Sequence, residues 1–191
     1  MLSLEGLDGQ PPVVSGKPMI WADVLIAMEE DGIKTTVASL LTVVLLLLLF
    51  ERSVRGTLLI LVPLTLAIGF TAGVMALLGI KLNFFNMLAL PTVIGMGVDD
   101  GVHLYHRHKE LGRDSARYVV RTTGSSAVLT TVTTAIGFGS LLLANHQGLN
   151  SLGLLAMIGM AAALFATLVV LPAAMQWSDD ILRRRDEKAA K

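Results

Sequence analysis

The sequence contains no cysteine, and this absence excludes a disulfide framework and any metal site built from thiolates. Charge is also scarce, because only 16% of the 191 residues are charged while 53% are hydrophobic. The mean hydropathy of +0.68 is not that of a soluble domain and predicts segments that span a membrane. Residues 1–12 are polar and lack the basic start of a signal peptide, so we expect an internal part of a longer chain.

Five hydrophobic segments, separated by short polar linkers, predict an all-α integral membrane protein built as a five-helix bundle. The segments are residues 35–50, 57–80, 83–105, 125–144 and 151–177. The first is short for a span, but residues 32–34 extend it because Lys34 can reach along the helix toward the headgroups.

The basic residues in the linkers predict the orientation of the bundle. Residues 51–55 carry two bases, residues 106–124 carry five and the tail after Trp177 carries five. Residues 81–83 carry one base and residues 145–148 carry none. Because basic residues concentrate on the cytoplasmic side, we expect the C-terminus to lie in the cytoplasm and the N-terminal segment to lie outside.

The same pattern divides the chain into three parts. Residues 1–32, with six acids against one base, are predicted to be the end of an extracytoplasmic domain with a lead-in helix. Residues 33–177 are predicted to be the five-helix membrane domain, and residues 178–191 a charged cytoplasmic tail.

Two adjacent carboxylates, Asp99 and Asp100, lie within the third segment. A span from Asn83 that ended at Val98 would contain about 16 residues, or roughly 24 Å of helix, against a hydrocarbon core of about 30 Å. We therefore expect both acids to lie inside the span, where they must face protein or water. Since two adjacent carboxylates cannot easily both ionise away from water, the pair is a candidate proton-binding site.

Small residues flank this pair. Gly95, Gly97 and Gly101 predict that another helix approaches closely, and the hydroxyl-rich fourth span is the expected neighbour. Pro91 should kink the helix ahead of the glycines, because proline cannot donate a backbone hydrogen bond.

Two further residue types are candidate partners of the acids. His103 follows Asp99 by four residues and Asp100 by three, which places all three on one helix face. Thr130 and Thr134, one turn apart in the fourth span, are candidate hydrogen-bond partners, although membrane threonines also bond their own i−4 carbonyl. No carboxylate cluster completes a ligand set around the histidines of this region, so we predict no metal site.

The run from Gly95 to Leu104 (GMGVDDGVHL), followed by a basic linker and the run from Thr130 to Gly139 (TTVTTAIGFG), resembles the resistance-nodulation-division superfamily. The resemblance is to its lipid-exporter branch, which contains the mycobacterial-large-type (MMPL) membrane proteins and the hopanoid transporters. The five-helix block is also similar to the sterol-sensing domain of eukaryotic relatives. Similarity extends over about residues 20–180.

The resemblance implies that the chain corresponds to helices two to six of one six-helix half of a two-half transporter. It places the proton relay on Asp99 and Asp100, although many relatives have Asp-Tyr at these two positions. The implied function is the membrane domain of a proton antiporter that exports lipids or other hydrophobic molecules across the bacterial inner membrane.

The expected partners are the remaining half of the transporter, the hydrophobic substrate, protons and the membrane, with no cofactor and no nucleic acid. The alternative is a non-transporting, sterol-sensing-type regulatory or lipid-binding module, which needs no titrating carboxylate. An enzyme is not predicted, because the sequence shows no nucleophile–base pair.

Overall fold

The computed structural model describes residues 17–81 and 83–189, with side chains from Asp31 onward except that of Phe84. These residues form helices and no strand, so the predicted all-helical membrane fold is confirmed. The helices are α1 Lys17–Glu51, α2 Val54–Leu77, α3 Phe84–Met87, α4 Ala89–Leu111, α5 Ala116–Gly139, α6 Gln147–Phe165 and α7 Leu171–Ala189. A 3-10 turn, Ser140–Leu143, ends α5, and a π-helical stretch, Ala166–Val170, joins α6 to α7.

Within the described part of the chain, four stretches are long and apolar enough to cross a membrane. They are Asp31–Glu51, Val54–Leu77, Ala116–Leu143 and Gln147–Ala189. The fifth predicted span is α4, whose 23 residues give about 35 Å of helix. Its length is sufficient for a span, but its five charged residues lower its hydropathy below that of the other four.

Helix α4 lies among the other long helices, and it packs against α6, α2, α5 and α1. On the α2 side, Ile94 and Val98 meet Ile60, Leu64 and Leu47 in one buried cluster. Between α2 and the α6–α7 rod, Ala67 contacts a run of small residues, and these allow the helices to approach closely (Ala162, Ala163 and Ala166). The polar helix is therefore held from several sides.

The start of α4 is anchored by the short helix before it. Asn83 and Asn86 form a reciprocal capping box around α3, at N···O distances of 2.8 and 3.0 Å. The fully buried Asn86 also donates to Lys81 O and to Ser151 Oγ on α6. The α-helical pattern is then interrupted at Leu88 before α4 begins, one turn ahead of Pro91, whose ring nitrogen has no hydrogen to donate.

Helix ends differ from the sequence expectation in two places. Helix α1 is continuous from Lys17 to Glu51, so the lead-in helix and first span are one rod; Pro18 lies in its first turn, where proline is tolerated. The polar stretch at residues 106–124 is mostly helical, because α4 continues to Leu111 and α5 already begins at Ala116. The turn between them uses Gly112 at φ +82°, a conformation that favours glycine.

Of the predicted domains, residues 1–16 lie outside the described part of the chain. Neither proposed boundary coincides with a helix end, since α1 passes through residue 32 and α7 passes through residue 177. The three-part division therefore stays a prediction about membrane position rather than a division of the fold.

Candidate functional site

The two acids of α4 lie in different environments. Asp100 is half-buried on the side of α4 that faces α5, and Thr131 Oγ1 donates a hydrogen bond to its Oδ2 at 3.3 Å. Asp99 lies about 100° further around the helix, and its side chain is 73% exposed within this chain. Within this chain, therefore, only Asp100 of the two acids turns toward a neighbouring helix, and the position of both acids inside a span stays a prediction.

The partner of Asp100 is not one of the threonines that the sequence suggested. Thr130 Oγ1 donates to Ser126 O at 3.0 Å, and Thr134 Oγ1 donates to Thr130 O at 2.9 Å. Both hydroxyls are thus bonded to the backbone of their own helix, the alternative that membrane threonines commonly adopt. Thr131 follows Thr130 directly in the sequence, but a rotation of about 100° points it at α4 instead.

His103 is positioned as its spacing predicts. Its Nε2 lies 3.4 Å from Asp99 Oδ1, one helical turn away, and its side chain is 69% exposed. The histidine and the carboxylate therefore share an open face of α4 and are close enough to exchange a proton.

Gly97 and Gly101 lie on the side of α4 opposite Asp99, since each is two residues from it and about 160° around the helix. A Cβ at Gly97 would lie 3.2 Å from both Ala163 Cβ and Leu64 Cδ1, and one at Gly101 would lie 3.3 Å from Ile60 Cγ2. These contacts are with α2 and with the end of α6, so the expectation that the fourth span would be the neighbour is wrong.

Gly95 and Pro91 take no part in that packing surface. A Cβ at Gly95 would meet no other described element within 4 Å, so no described helix packs closely against this glycine. Pro91 is half-buried in the first turn of α4. The close approach therefore depends on Gly97 and Gly101, which fix the rotation of α4 and direct Asp99 outward.

A third carboxylate, in a segment predicted to be a linker, contacts α4 further toward its C-terminal end. Glu51 ends α1, and its side chain is only 1% exposed. Its Oε1 contacts His106 Nε2, and its Oε2 accepts a hydrogen bond from Lys109 Nζ at 3.4 Å. The available signal was a lone acid directly after an apolar span.

Nearby contacts tie the ends of α4, α5 and α7 together. The buried His108 pairs through Nε2 with Asp179 Oδ2 at 3.3 Å, and its Nδ1 lies 2.9 Å from Ser115 Oγ. Arg55 at the start of α2 donates to the backbone carbonyl of Ser178 on α7. Within the described residues, no group of three metal-ligating side chains is assembled.

An apolar groove of about 470 Å³ lies between α1, α2 and α4. Its lining includes Leu40, Ile68, Met75 and Ile94, together with two threonines. Both threonine hydroxyls donate to carbonyls of their own helices, at 2.8 Å for Thr36 and 2.7 Å for Thr71. The groove therefore presents an almost wholly apolar surface, and an aliphatic chain is the ligand chemistry that suits it.

Comparison with known proteins adds a family assignment to this geometry. Residues 7–185 match the MMPL family. The chain is 32% identical over 152 residues to a membrane protein of Methanocaldococcus jannaschii, a match that covers 76% of this chain and 39% of that relative.

Two relatives have names that state a transport activity. The chain is 31% identical over 165 residues to the hopanoid transporter HpnN of Rhodopseudomonas palustris, which covers 86% of this chain and 18% of that protein. It is 27% identical over 176 residues to the apo-petrobactin exporter of Bacillus anthracis, which covers 84% and 23% respectively. The chain thus spans less than two fifths of the length of each of these three curated relatives.

Proposed function

Since this chain belongs to the MMPL family, we propose that it forms the membrane domain of a proton-driven exporter of lipids or other hydrophobic molecules. The observation that carries the proposal is the pair of adjacent carboxylates in the central helix, one of which is hydrogen-bonded across a helix interface to Thr131. The names of two relatives, a hopanoid transporter and an apo-petrobactin exporter, support transport rather than catalysis. The apolar groove between α1, α2 and α4 supports a hydrophobic cargo.

In the proposed mechanism, Asp99 and Asp100 take up and release protons, and the strength of the contact between α4 and α5 changes with their protonation state. An ionised Asp100 accepts the hydrogen bond of Thr131, whereas a neutral carboxylic acid is a weaker acceptor and brings a donor of its own. The α4–α5 contact is therefore expected to depend on protonation. One charge moved across 100 mV supplies about 2.3 kcal/mol, which is enough to shift a two-state equilibrium about fifty-fold.

The open face of α4 indicates that this site is completed by another part of the transporter. Asp99 and His103 are both more than two thirds exposed within this chain. Polar groups at membrane depth are costly unless protein or water surrounds them. We assign the covering surface to the remaining half of the transporter, with the proposed orientation of N-terminal segment outside and C-terminus in the cytoplasm of a bacterial inner membrane.

The test uses the complete transporter in proteoliposomes with an imposed pH gradient and a hopanoid as the transported probe. Asp99→Asn and Asp100→Asn should each abolish gradient-driven movement, because asparagine resembles aspartate in shape but cannot cycle a proton. Size-exclusion profiles should match those of the unmodified protein, since neither change alters side-chain volume appreciably.

Glu110→Gln is the matched control. It removes a carboxylate from the same helix at an exposed site that pairs with Arg107, and transport should persist. If both asparagine variants and the double variant keep gradient-driven transport, the proton relay is wrong and the sensing-module alternative is favoured.

A further inference from the structure

Glu51 is a buried carboxylate that the mechanism above does not use. Its position at the last residue of α1 is unfavourable for an anion, because burial removes water and the C-terminal end of a helix carries partial negative charge. Two groups on α4 compensate: Lys109 donates to one carboxylate oxygen, and His106 contacts the other. A buried carboxylate that touches an imidazole is one half of a proton-transfer pair.

The imidazole of His106 continues a line of titratable groups along α4. Asp99, His103 and His106 stand at positions i, i+4 and i+7, which places them within about 60° of one another around the helix. The Asp99 Oδ1 to His103 Nε2 distance is 3.4 Å. His103 and His106 are three residues apart, and such residues are neighbours on a helix surface, so one water molecule can bridge them.

The charges around Tyr105, the residue before His106, are balanced rather than of one sign. Glu51 and Lys109 lie within electrostatic reach of Tyr105, and so do Arg55 on α2 and Asp179 on α7. Two cations therefore stand with two carboxylates in this cluster. Glu51 therefore belongs to a cluster of mixed charge, in which Lys109 is the cation that contacts it directly.

From this geometry we propose that Glu51, His106 and His103 carry protons between Asp99 and the end of the bundle where α1 terminates. The proposal rests on the proposed proton-driven function. It names the path that protons take between the relay acids and one side of the membrane. It assigns a role to Glu51, which lies on a different helix from the relay acids.

Each transfer conserves protons, and release of protons toward the cytoplasm during antiport runs the following steps in reverse. Protonated Glu51 gives its proton from Oε1 to His106 Nε2, and His106 releases the proton on its Nδ1 through water to His103. His103 gives the proton on its Nε2 to Asp99 Oδ1, so each imidazole ends neutral in its other tautomer. Glu51 is then an anion and takes the next proton from water at the helix end, with Lys109 stabilising the anion meanwhile.

The test measures how fast the relay carboxylates are protonated in the complete transporter. Proteoliposomes with uniformly oriented protein receive a pH jump on the side that bears the end of α7, and stopped-flow infrared spectroscopy follows the protonated-carboxyl band. Asp99→Asn and Asp100→Asn identify which part of the band belongs to the relay acids. Glu51→Gln and His106→Ala should slow its appearance on the order of 100-fold and leave its final amplitude unchanged.

Chemical rescue separates proton transfer from a purely structural role. Added imidazole should restore the rate of His106→Ala, because it replaces the missing acid–base group without repairing the helix contact. Glu51→Asp, which retains a carboxyl group, should give an intermediate rate and provides a second variant if Glu51→Gln does not fold. Glu110→Gln should behave as the unmodified protein does.

The outcomes distinguish this route from the function on which it rests. If the relay carboxylates are protonated at the normal rate in Glu51→Gln and His106→Ala, or if His106→Ala is slow and not rescued by imidazole, the route is overturned. If Asp99→Asn and Asp100→Asn remove nothing from the carboxyl band, the relay acids do not titrate. That result would refute the proposed proton-driven function itself and not only the route.

Discussion

Gly95 and Gly97, two positions apart on α4, offer a matched test of how this helix packs against its neighbours. A Cβ at Gly97 would lie 3.2 Å from Ala163 Cβ and from Leu64 Cδ1, closer than the ordinary carbon–carbon contact of about 3.5–4.0 Å. A Cβ at Gly95 would meet no other described element within 4 Å. We predict that Gly97→Leu destabilises the bundle and that Gly95→Leu does not.

The magnitude follows from what leucine adds at each site. At Gly97 its four carbons must displace α2 or α6, and such overpacking costs typically about 1–3 kcal/mol. Leucine also favours a helix over glycine by somewhat less than about 1 kcal/mol, and this gain is the same at both sites. The difference in unfolding free energy between the two variants should therefore be about 1–3 kcal/mol, with Gly97→Leu the less stable.

The assay is reversible unfolding in mixed micelles titrated with dodecyl sulfate, followed by far-ultraviolet circular dichroism. Both variants carry the same chemical change on the same helix, so differences in detergent binding largely cancel. Equal midpoints would refute the reasoning, because they would mean that α4 has as much space for a side chain at Gly97 as at Gly95.

Three further predictions follow from other contacts. Thr131→Val should impair pH-gradient-driven transport more than Thr130→Val does, because only Thr131 donates to the relay carboxylate; equal transport rates in proteoliposomes would contradict this. In the cysteine-free background, a cysteine at Gln147 should react with an impermeant maleimide in intact cells and one at Arg184 should not, and the reverse pattern would overturn the orientation. Asn86→Ala should lower stability by about 1–3 kcal/mol in the same micelle assay, since it removes the hydrogen bonds that the buried Asn86 side chain donates to Lys81 O and Ser151 Oγ; an unchanged midpoint would contradict this.

The sequence by itself predicted the helical membrane fold and the presence of acids in a span. These properties are local: hydropathy over about 20 residues decides what enters the membrane, and backbone groups in hydrocarbon must then form helices. The placement of Asp99 and Asp100 inside the third span rests on span length alone and stays a prediction. The reach of His103 to Asp99 follows equally from the fixed geometry of one helical turn.

The tertiary structure alone decided which faces of these helices meet. Hydropathy in a nearly uniform apolar segment does not define the rotation of a helix about its axis. Only the packing of α5 against α4 decided that Thr131 rather than Thr130 reaches Asp100. The same indeterminacy hid the fact that Gly97 packs on α2 and α6 instead of α5. Burial of Glu51 depends on α4 passing beside the end of α1, a contact between residues more than 50 positions apart that no local pattern records.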